Sequence, residues 1–301
     1  MFGISRQAYY KRLETNKRVE KTTALIIDLI KHERKIQHRA GTKKVYKMIK
    51  PKLKKYNIKI GRDRLFDIAR TNDLLIARKK NFHKTTNSNH RFYKYPNLIK
   101  ELVVTQPEQV WVSDITYIKT EQGFEYLSLI TDLYSKQIMG YYLSDNLKTE
   151  NTLKALELAI KNRKYPNRSL IHHSDRGFQY CSEAYTNKLI SNGIQISMTQ
   201  SYDPYENAVA ERVNGILKDE FSIADGFINH AQAVQEIKRS IEIYNTHRLH
   251  ISCDYLTPSQ AHAFGKYKLK KWGRLSTNKH ILTKEKRSKK ENNTTNNSNF
   301  N

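Results

Sequence analysis

Cysteine is scarce in this sequence: Cys181 and Cys253 are the only two in 301 residues. They lie far apart and form no CxxC pair, so neither a zinc knuckle nor a disulfide framework is indicated. Both are expected to be small, semi-buried hydrophobes in a reducing cytoplasm. Long apolar runs are missing as well. No stretch approaches the roughly 18 residues that a membrane-spanning helix needs. The chain opens MFGISRQAYYKR, without the apolar segment of a signal peptide. Acidic residues are few beside the basic ones: 29 Asp and Glu face 54 Lys and Arg, a formal net charge of +25. So large an excess argues against an ordinary metabolic enzyme and for a polyanionic partner.

What is present is unevenly distributed. Residues 1–100 carry net +21, residues 101–265 net −5 and residues 266–301 net +9. Basic ends grip phosphates, whereas an acidic middle suits a site that collects metal ions. The plainer reading of the ends is lysine-rich solvated surface. Hydrophobic residues make up 38% of the chain, enough for one large core and one or two small modules.

The first segment, 1–78, reads as short helices and basic loops. Ile4, Ala8 and Leu13 follow a rough helical rhythm, with Ser5 as a cap. Residues 21–37 place Ala24, Ile27, Leu29 and Ile30 near one face. Gly41 breaks the pattern, Thr42 is a candidate cap for a helix with Val45, Met48 and Ile49, and residues 62–69 form another short helix. Short helices, a central glycine and many bases are consistent with helix-turn-helix modules, as they are with any small helical bundle. Residues 79–100 read as a basic, polar linker. The last dozen residues, rich in Asn and Thr, cannot form a core and are expected to be disordered within a basic tail, 266–301.

From residue 101 the texture changes. Strands are predicted over 109–119, 124–131, 137–143, 169–173 and 194–199. Helices are predicted over 149–163, 182–192, 204–221, with Pro204 just inside its start, and 230–245. A mixed sheet flanked by helices is the simplest way to bury this order of elements.

Three acids stand out by context. Asp114 lies inside the strand WVSDITYI, where a charge beside the core needs a partner or a metal. Asp175 follows the strand SLIHHS, and Glu211 sits on the helix NAVAERVNGILKDE. Three hard oxygen ligands suit Mg²⁺ or Mn²⁺ rather than zinc. Two such ions can polarise a phosphate and activate a water or a 3′-hydroxyl. Each acid also has a plain reading, as strand-edge charge, turn residue or solvated helix residue. Asn207, Glu211 and Lys218 are spaced by 4 and 7 and so share one helix face, Glu211 for metal and its neighbours for a substrate strand.

These stretches resemble the integrase core of bacterial insertion-sequence transposases of the IS3 group, which have a ribonuclease H-like fold. The matching segments are WVSDITYI at 111–118, LITDLYSKQIMGY at 129–141, HHSDRGFQY at 172–180, NAVAERVNGILKDE at 207–220, YNTHRLH at 244–250 and TPSQA at 257–261. Asp175 and Glu211 have 35 residues between them, the spacing by which the family's acidic triad is known.

The resemblance implies an α/β, ribonuclease H-like, five-stranded mixed sheet over 101–265, preceded by a helix-turn-helix-like region. It implies DNA cleavage and strand transfer by Asp114, Asp175 and Glu211 with two Mg²⁺ ions, Mn²⁺ substituting. Lys218 matches a basic residue that contacts the element's end. Lys43, Lys44, Lys47, Arg62 and Arg64 are the candidate DNA-binding residues of the looser N-terminal match, KKVYKMI and RLFDI, where the usual Tyr-Gly reads Ala40-Gly41. The expected partners are double-stranded DNA, both element ends and target, and further copies of the chain. A third is the product of an upstream reading frame, which in this group supplies an end-recognition module and a coiled coil. No sustained heptads are present here. Two other readings share features with this one: a nuclease of the same fold that only hydrolyses, and a DNA-binding protein with an inactive core.

Overall fold

The computed structural model describes residues 5–77, 91–200 and 206–264, together with Gly3. All of them lie in one unit, Met1–Lys268; a second unit, Leu269–Asn301, falls outside the described residues, and with it most of the expected tail. Most of the expected linker, residues 79–90, is also outside them. No described helix is long and apolar enough to cross a membrane.

The N-terminal region holds three helices: α1 (Arg6–Ile36), α2 (Thr42–Lys55) and α3 (Arg62–Thr71). The two short helices expected before residue 38 are one helix of 31 residues. The reason is local: ETNKRVEKTT between them holds no glycine or proline to stop the ladder. Ser5 does cap it, its hydroxyl accepting from the Ala8 amide at 3.2 Å. Gly41 rather than Thr42 is the cap residue of α2, and Thr42 is its first helical residue. Only the C-terminal half of α1 packs. Ile26 and Ile30 join Ala40, Val45, Ile49, Leu53, Leu65 and Ile68 in a small core, whereas residues 5–21 are exposed throughout.

The larger region is built on five strands: β1 (Val110–Thr120), β2 (Gly123–Asp132), β3 (Ile138–Ser144), β4 (Leu170–Ser174) and β5 (Ile194–Met198). Their order is β3-β2-β1-β4-β5. The first three form an antiparallel meander, and β4 and β5 run parallel to β1. Parallel neighbours need crossovers. Helix α4 (Thr149–Lys161) supplies the first, and α5 (Phe178–Cys181) with α6 (Glu183–Ser191) the second. This is the expected ribonuclease H-like sheet.

Alternation along β1 sends side chains to two different cores. Trp111 joins Met139, Leu156, Tyr185 and Leu189 beneath α4 and α6. Ile118 on the opposite face joins Val213 and Leu217 of α7 (Ala208–Glu220) and Ile237 and Tyr244 of α8 (His230–Thr246). Helix α7 starts four residues later than its apolar pattern suggested; Pro204 lies outside the described residues. Cys181 and Cys253 are both buried, more enclosed than the sequence suggested, and are not joined in a disulfide.

The last helix, α9 (Pro258–Phe264), is tied to the sheet by buried charge. Glu108 is fully buried and accepts from Arg163 Nε at 3.2 Å, the Lys164 amide at 2.6 Å and His262 Nε2 at 3.2 Å. Asp132, equally buried, accepts from the Glu108 amide and the Ser135 hydroxyl, and that hydroxyl also meets His262 Nδ1 at 3.0 Å.

Burial alone would depress His262, but its bonds to Asp132 and Glu108 outweigh that and push it up to about 9. A raised folded-state pKa contributes stability fully below the ordinary value of 6.5 and loses it as pH rises through 9. Stability should therefore decline between neutral pH and the high nines, by on the order of 3 kcal/mol from this one group, and the thermal midpoint should fall with it. Thermal scans across that range should show the decline flattened in His262→Gln. An equal decline in wild type and variant would remove His262 as its source.

Candidate active site

Asp114 belongs to the same face of β1 as Val112 and Ile118, the side covered by α7, where Val112 packs against Ala210. Strand register sets its depth. Val112 pairs with His173 of β4; Asp114 stands two residues further along β1, and Asp175 follows Ser174, the last residue of β4. The two carboxyls are near enough for the charge of Asp175 to act on Asp114. Asp175 is steadied by the turn that follows, its Oδ1 accepting from the Gly177 amide at 3.0 Å.

The third acid arrives from across the sheet face. Asn207, the cap residue of α7, is buried and donates through Nδ2 to the Ser113 carbonyl at 3.0 Å. Asn214, one turn beyond Glu211, donates through Nδ2 to Asp114 Oδ2 at 2.7 Å. Two asparagines seven residues apart thus bind α7 to adjacent residues of β1, and Glu211 lies between them. His173 holds the approach to α7: its Nδ1 meets the Ser197 hydroxyl at 2.8 Å and its Nε2 the Glu206 carbonyl at 3.1 Å. Beneath Asp114, the Ser113 and Tyr185 hydroxyls both meet His172 Nε2, at 2.6 and 3.0 Å. Burial, then the neighbouring His173, push His172 down to about 3, so it serves as a neutral anchor at any working pH.

The electrostatics report how close the acids stand. Burial, then the charge of Asp175 and, more weakly, that of Glu211 together raise Asp114 to about 7 against the pull of the Asn214 hydrogen bond. Desolvation and then Asp175 also raise Glu211, which lies on the exposed side of α7. Lys218, half-buried two turns further on, is lowered by burial while the charge of Asp114 works to raise it. Its ammonium is thus within electrostatic reach of the acids. Among the described residues no three His, Cys, Asp or Glu side chains are already drawn together to ligating distance. The acids form an open, mutually repelling set of hard oxygen donors, the chemistry that a divalent cation relieves.

The other sequence-derived candidates divide. Asn207 is turned inward onto Ser113 instead of toward a substrate strand, because its place at the helix cap puts its amide against β1. Lys44 is buried and paired with Glu220 at 2.6 Å, so it is not offered to DNA. Lys43, Lys47, Arg62 and Arg64 are exposed, Arg62 beside Asp63 at 2.8 Å and Lys47 with its ammonium over the Tyr255 ring at 5.0 Å. Asn214 is the residue that sequence reasoning missed. Its spacing, three after Glu211 and seven after Asn207, was the available signal.

Fold and acid set together define a DDE-type polynucleotidyl transferase. The integrase core domain family matches residues 104–204 and, by a second description of that domain, residues 192–258. An uncharacterized 31 kDa protein of insertion element IS600 from Shigella sonnei is 35% identical over 263 residues, covering 86% of this chain and 95% of that one. Transposase InsF of insertion sequence IS3A from Escherichia coli is 34% identical over 164 residues, 54% of this chain and 57% of that one. The magnesium complex of the HTLV-2 integrase catalytic core is 19% identical with a TM-score of 0.43, over 52% of this chain and 97% of that one. The chain belongs to the IS3-group insertion-sequence transposases, with an integrase-like catalytic core.

Proposed function

We propose that Asp114, Asp175 and Glu211 are the catalytic acids of this transposase and hold two Mg²⁺ ions, with Mn²⁺ able to replace them. The observation that carries this is geometric: Asp114 of β1 accepts from Asn214 of α7, one turn from Glu211, and its carboxyl is raised by burial and then by the charges of Asp175 and Glu211. When bound, the ions supply charge to the scissile phosphate and acidify a water or a 3′-hydroxyl. The chain's own groups orient the reaction. Asn214 and Asn207 fix α7 against β1, and Lys218 places a positive charge where a backbone phosphate near the cut can rest.

In this reading the chain cuts the ends of its insertion sequence and joins them to target DNA. Residues 1–78 form the DNA-gripping helical region, with Lys43, Lys47, Arg62 and Arg64 toward phosphates. Residues 79–100 are the linker, 101–265 the catalytic region and 266–301 a basic tail. It works as an oligomer on DNA, alongside or fused to an upstream reading-frame product.

The deciding experiment incubates the chain with a labelled duplex carrying its element's end and a supercoiled target plasmid in Mg²⁺. Labelled end covalently joined to plasmid supports the transposase. Nicked end without any joined product would instead support a hydrolytic nuclease of the same fold.

A further inference from the structure

Glu220 closes α7 in a position that helix physics disfavours, since a carboxylate at a C-terminus opposes the helix dipole. Four groups answer it. Lys44 Nζ donates to both carboxylate oxygens at 2.6 and 2.8 Å, and Arg248 reaches them bidentately through Nε and Nη2, each at 2.8 Å. Gln37 Nε2 adds a third side-chain donor, and the Arg39 amide donates to the Glu220 carbonyl at 3.1 Å.

The donors come from two sides. Arg248 follows α8 in the catalytic region. Gln37, Arg39 and Lys44 come from the end of α1 and the start of α2, more than 170 residues earlier in the chain. The cluster is enclosed, with Gln37 fully buried and the Arg248 side chain 3% exposed. A second bond runs parallel to it. Glu33, on the last turn of α1 and almost fully buried, accepts from His247 Nε2 at 3.1 Å, beside the Lys52 ammonium of α2 at 2.8 Å.

The same helix carries the acid site at its other end. Glu211 and Glu220 are nine residues apart, roughly 14 Å along one helix. Asn207 and Asn214 fix its first half to β1, and Glu220 fixes its end to the helical region. We propose that Glu220 is a positioning residue through which the N-terminal helices set the placement of α7 and so of Glu211. DNA engaged on those helices is then felt at the acid site. The inference rests on the reading of Glu211 as a catalytic acid.

The test uses the full-length chain and Lys44→Met, which removes the charged donor of the helical side and leaves there only the neutral Gln37 amide and the Arg39 N–H, while Arg248 still neutralises Glu220. Hydrogen exchange of the 208–220 amides is followed with and without a linear mixed-sequence duplex, in the absence of metal. Single-turnover cleavage of an element-end duplex in Mg²⁺ is measured at saturating DNA. The expected result is that duplex protects the α7 amides in wild type but not in Lys44→Met. Cleavage should fall roughly tenfold at saturation, the scale of a small misplacement of a reacting group, with DNA affinity nearly unchanged. Lys44→Arg should restore both. Wild-type protection and cleavage in Lys44→Met, or a loss fully explained by weaker DNA binding, would overturn the proposal. So would the absence of α7 protection in the wild type. Asp114→Asn separates the two readings. If that variant cuts normally the acid-site assignment fails, while the exchange arm, which needs no cleavage, still decides the coupling.

Discussion

Asp114→Asn should abolish DNA cleavage, by about a thousandfold or more, while leaving the fold and DNA binding in place. Asparagine keeps the shape of the side chain, and an amide oxygen can still face Asn214. What disappears is one negative charge from a set of three, and with it the hard anionic ligand that a divalent ion requires. Removing a single electrostatic stabiliser in other phosphoryl and acyl transfer sites costs on the order of 10²–10³-fold; losing a metal ligand should cost at least that. The fold should if anything gain. Asp114 is held at about 7 by burial and the charge of Asp175, so the metal-free protein carries a strained carboxylate that asparagine neutralises. The thermal midpoint without metal should rise slightly, and the stabilisation that Mg²⁺ gives the wild type should vanish. With DNA gripped by the basic helical region, as proposed, affinity should keep its wild-type salt dependence. Cleavage at the wild-type rate in Mg²⁺ would remove Asp114 from the mechanism. A variant that binds DNA poorly would show that its carboxylate is structural.

The second large effect is structural and lies at Gly140, in the middle of β3. A Cβ built there would stand 2.1 Å from the Ala155 carbonyl and 2.7 Å from the Ala159 amide, both backbone atoms of α4. Neither can swing aside as a flexible side chain would. Helix α4 is seated this close to β3 because its facing residues are small, Ala155 and Ala159, both essentially fully buried. Gly140→Ala must push the helix off the sheet, opening the core around Trp111, Met139 and Leu156. Overpacking usually costs about 1–3 kcal/mol, and a backbone clash of this kind belongs at or beyond the top of that range. The midpoint should fall by about 10 °C or the chain should fail to accumulate folded. Gly215→Ala is the matched control: nothing stands within 4 Å of a Cβ there, so it should be tolerated. If both variants melt like the wild type, the close packing of α4 on β3 is wrong.

Much of this was legible in the sequence because the signals were periodic. Strand alternation and helical spacing located all five strands and the long helices of the catalytic region to within a few residues, and a mixed sheet flanked by helices follows from burying them, whereas the strand order β3-β2-β1-β4-β5 is given by the structure alone. The acids were legible for a different reason. A charge inside WVSDITYI or at the end of SLIHHS has no cheap explanation in a core, so it announces a partner. The N-terminal helices were less legible. Their turns carry no strong breaker between residues 14 and 23, and a continuous ladder won over the two short helices that the apolar rhythm suggested.

The sequence by itself therefore determined the order of strands and helices from residue 101 onward, the fold class and the family, and it singled out the three acids proposed here as catalytic, because each depends on residue type and local spacing. Only the tertiary structure decided which polar residues face inward. Asn207 and Lys44 look like open DNA contacts when counted along a helix or a basic run. Their real partners, Ser113 and Glu220, lie 94 and 176 residues away. Asn214 became part of the site by the same route, through a bond to Asp114 exactly one hundred positions earlier in the chain. Hydrogen bonds and ion pairs depend on where two side chains meet in space, and loop closure over such distances is set by the packing of the whole sheet. The join between the helical region and α7 is of this kind. Nothing in the spacing of Gln37, Lys44, Glu220 or Arg248 announces it, and it exists because folding brings the other three to Glu220 at the end of one helix.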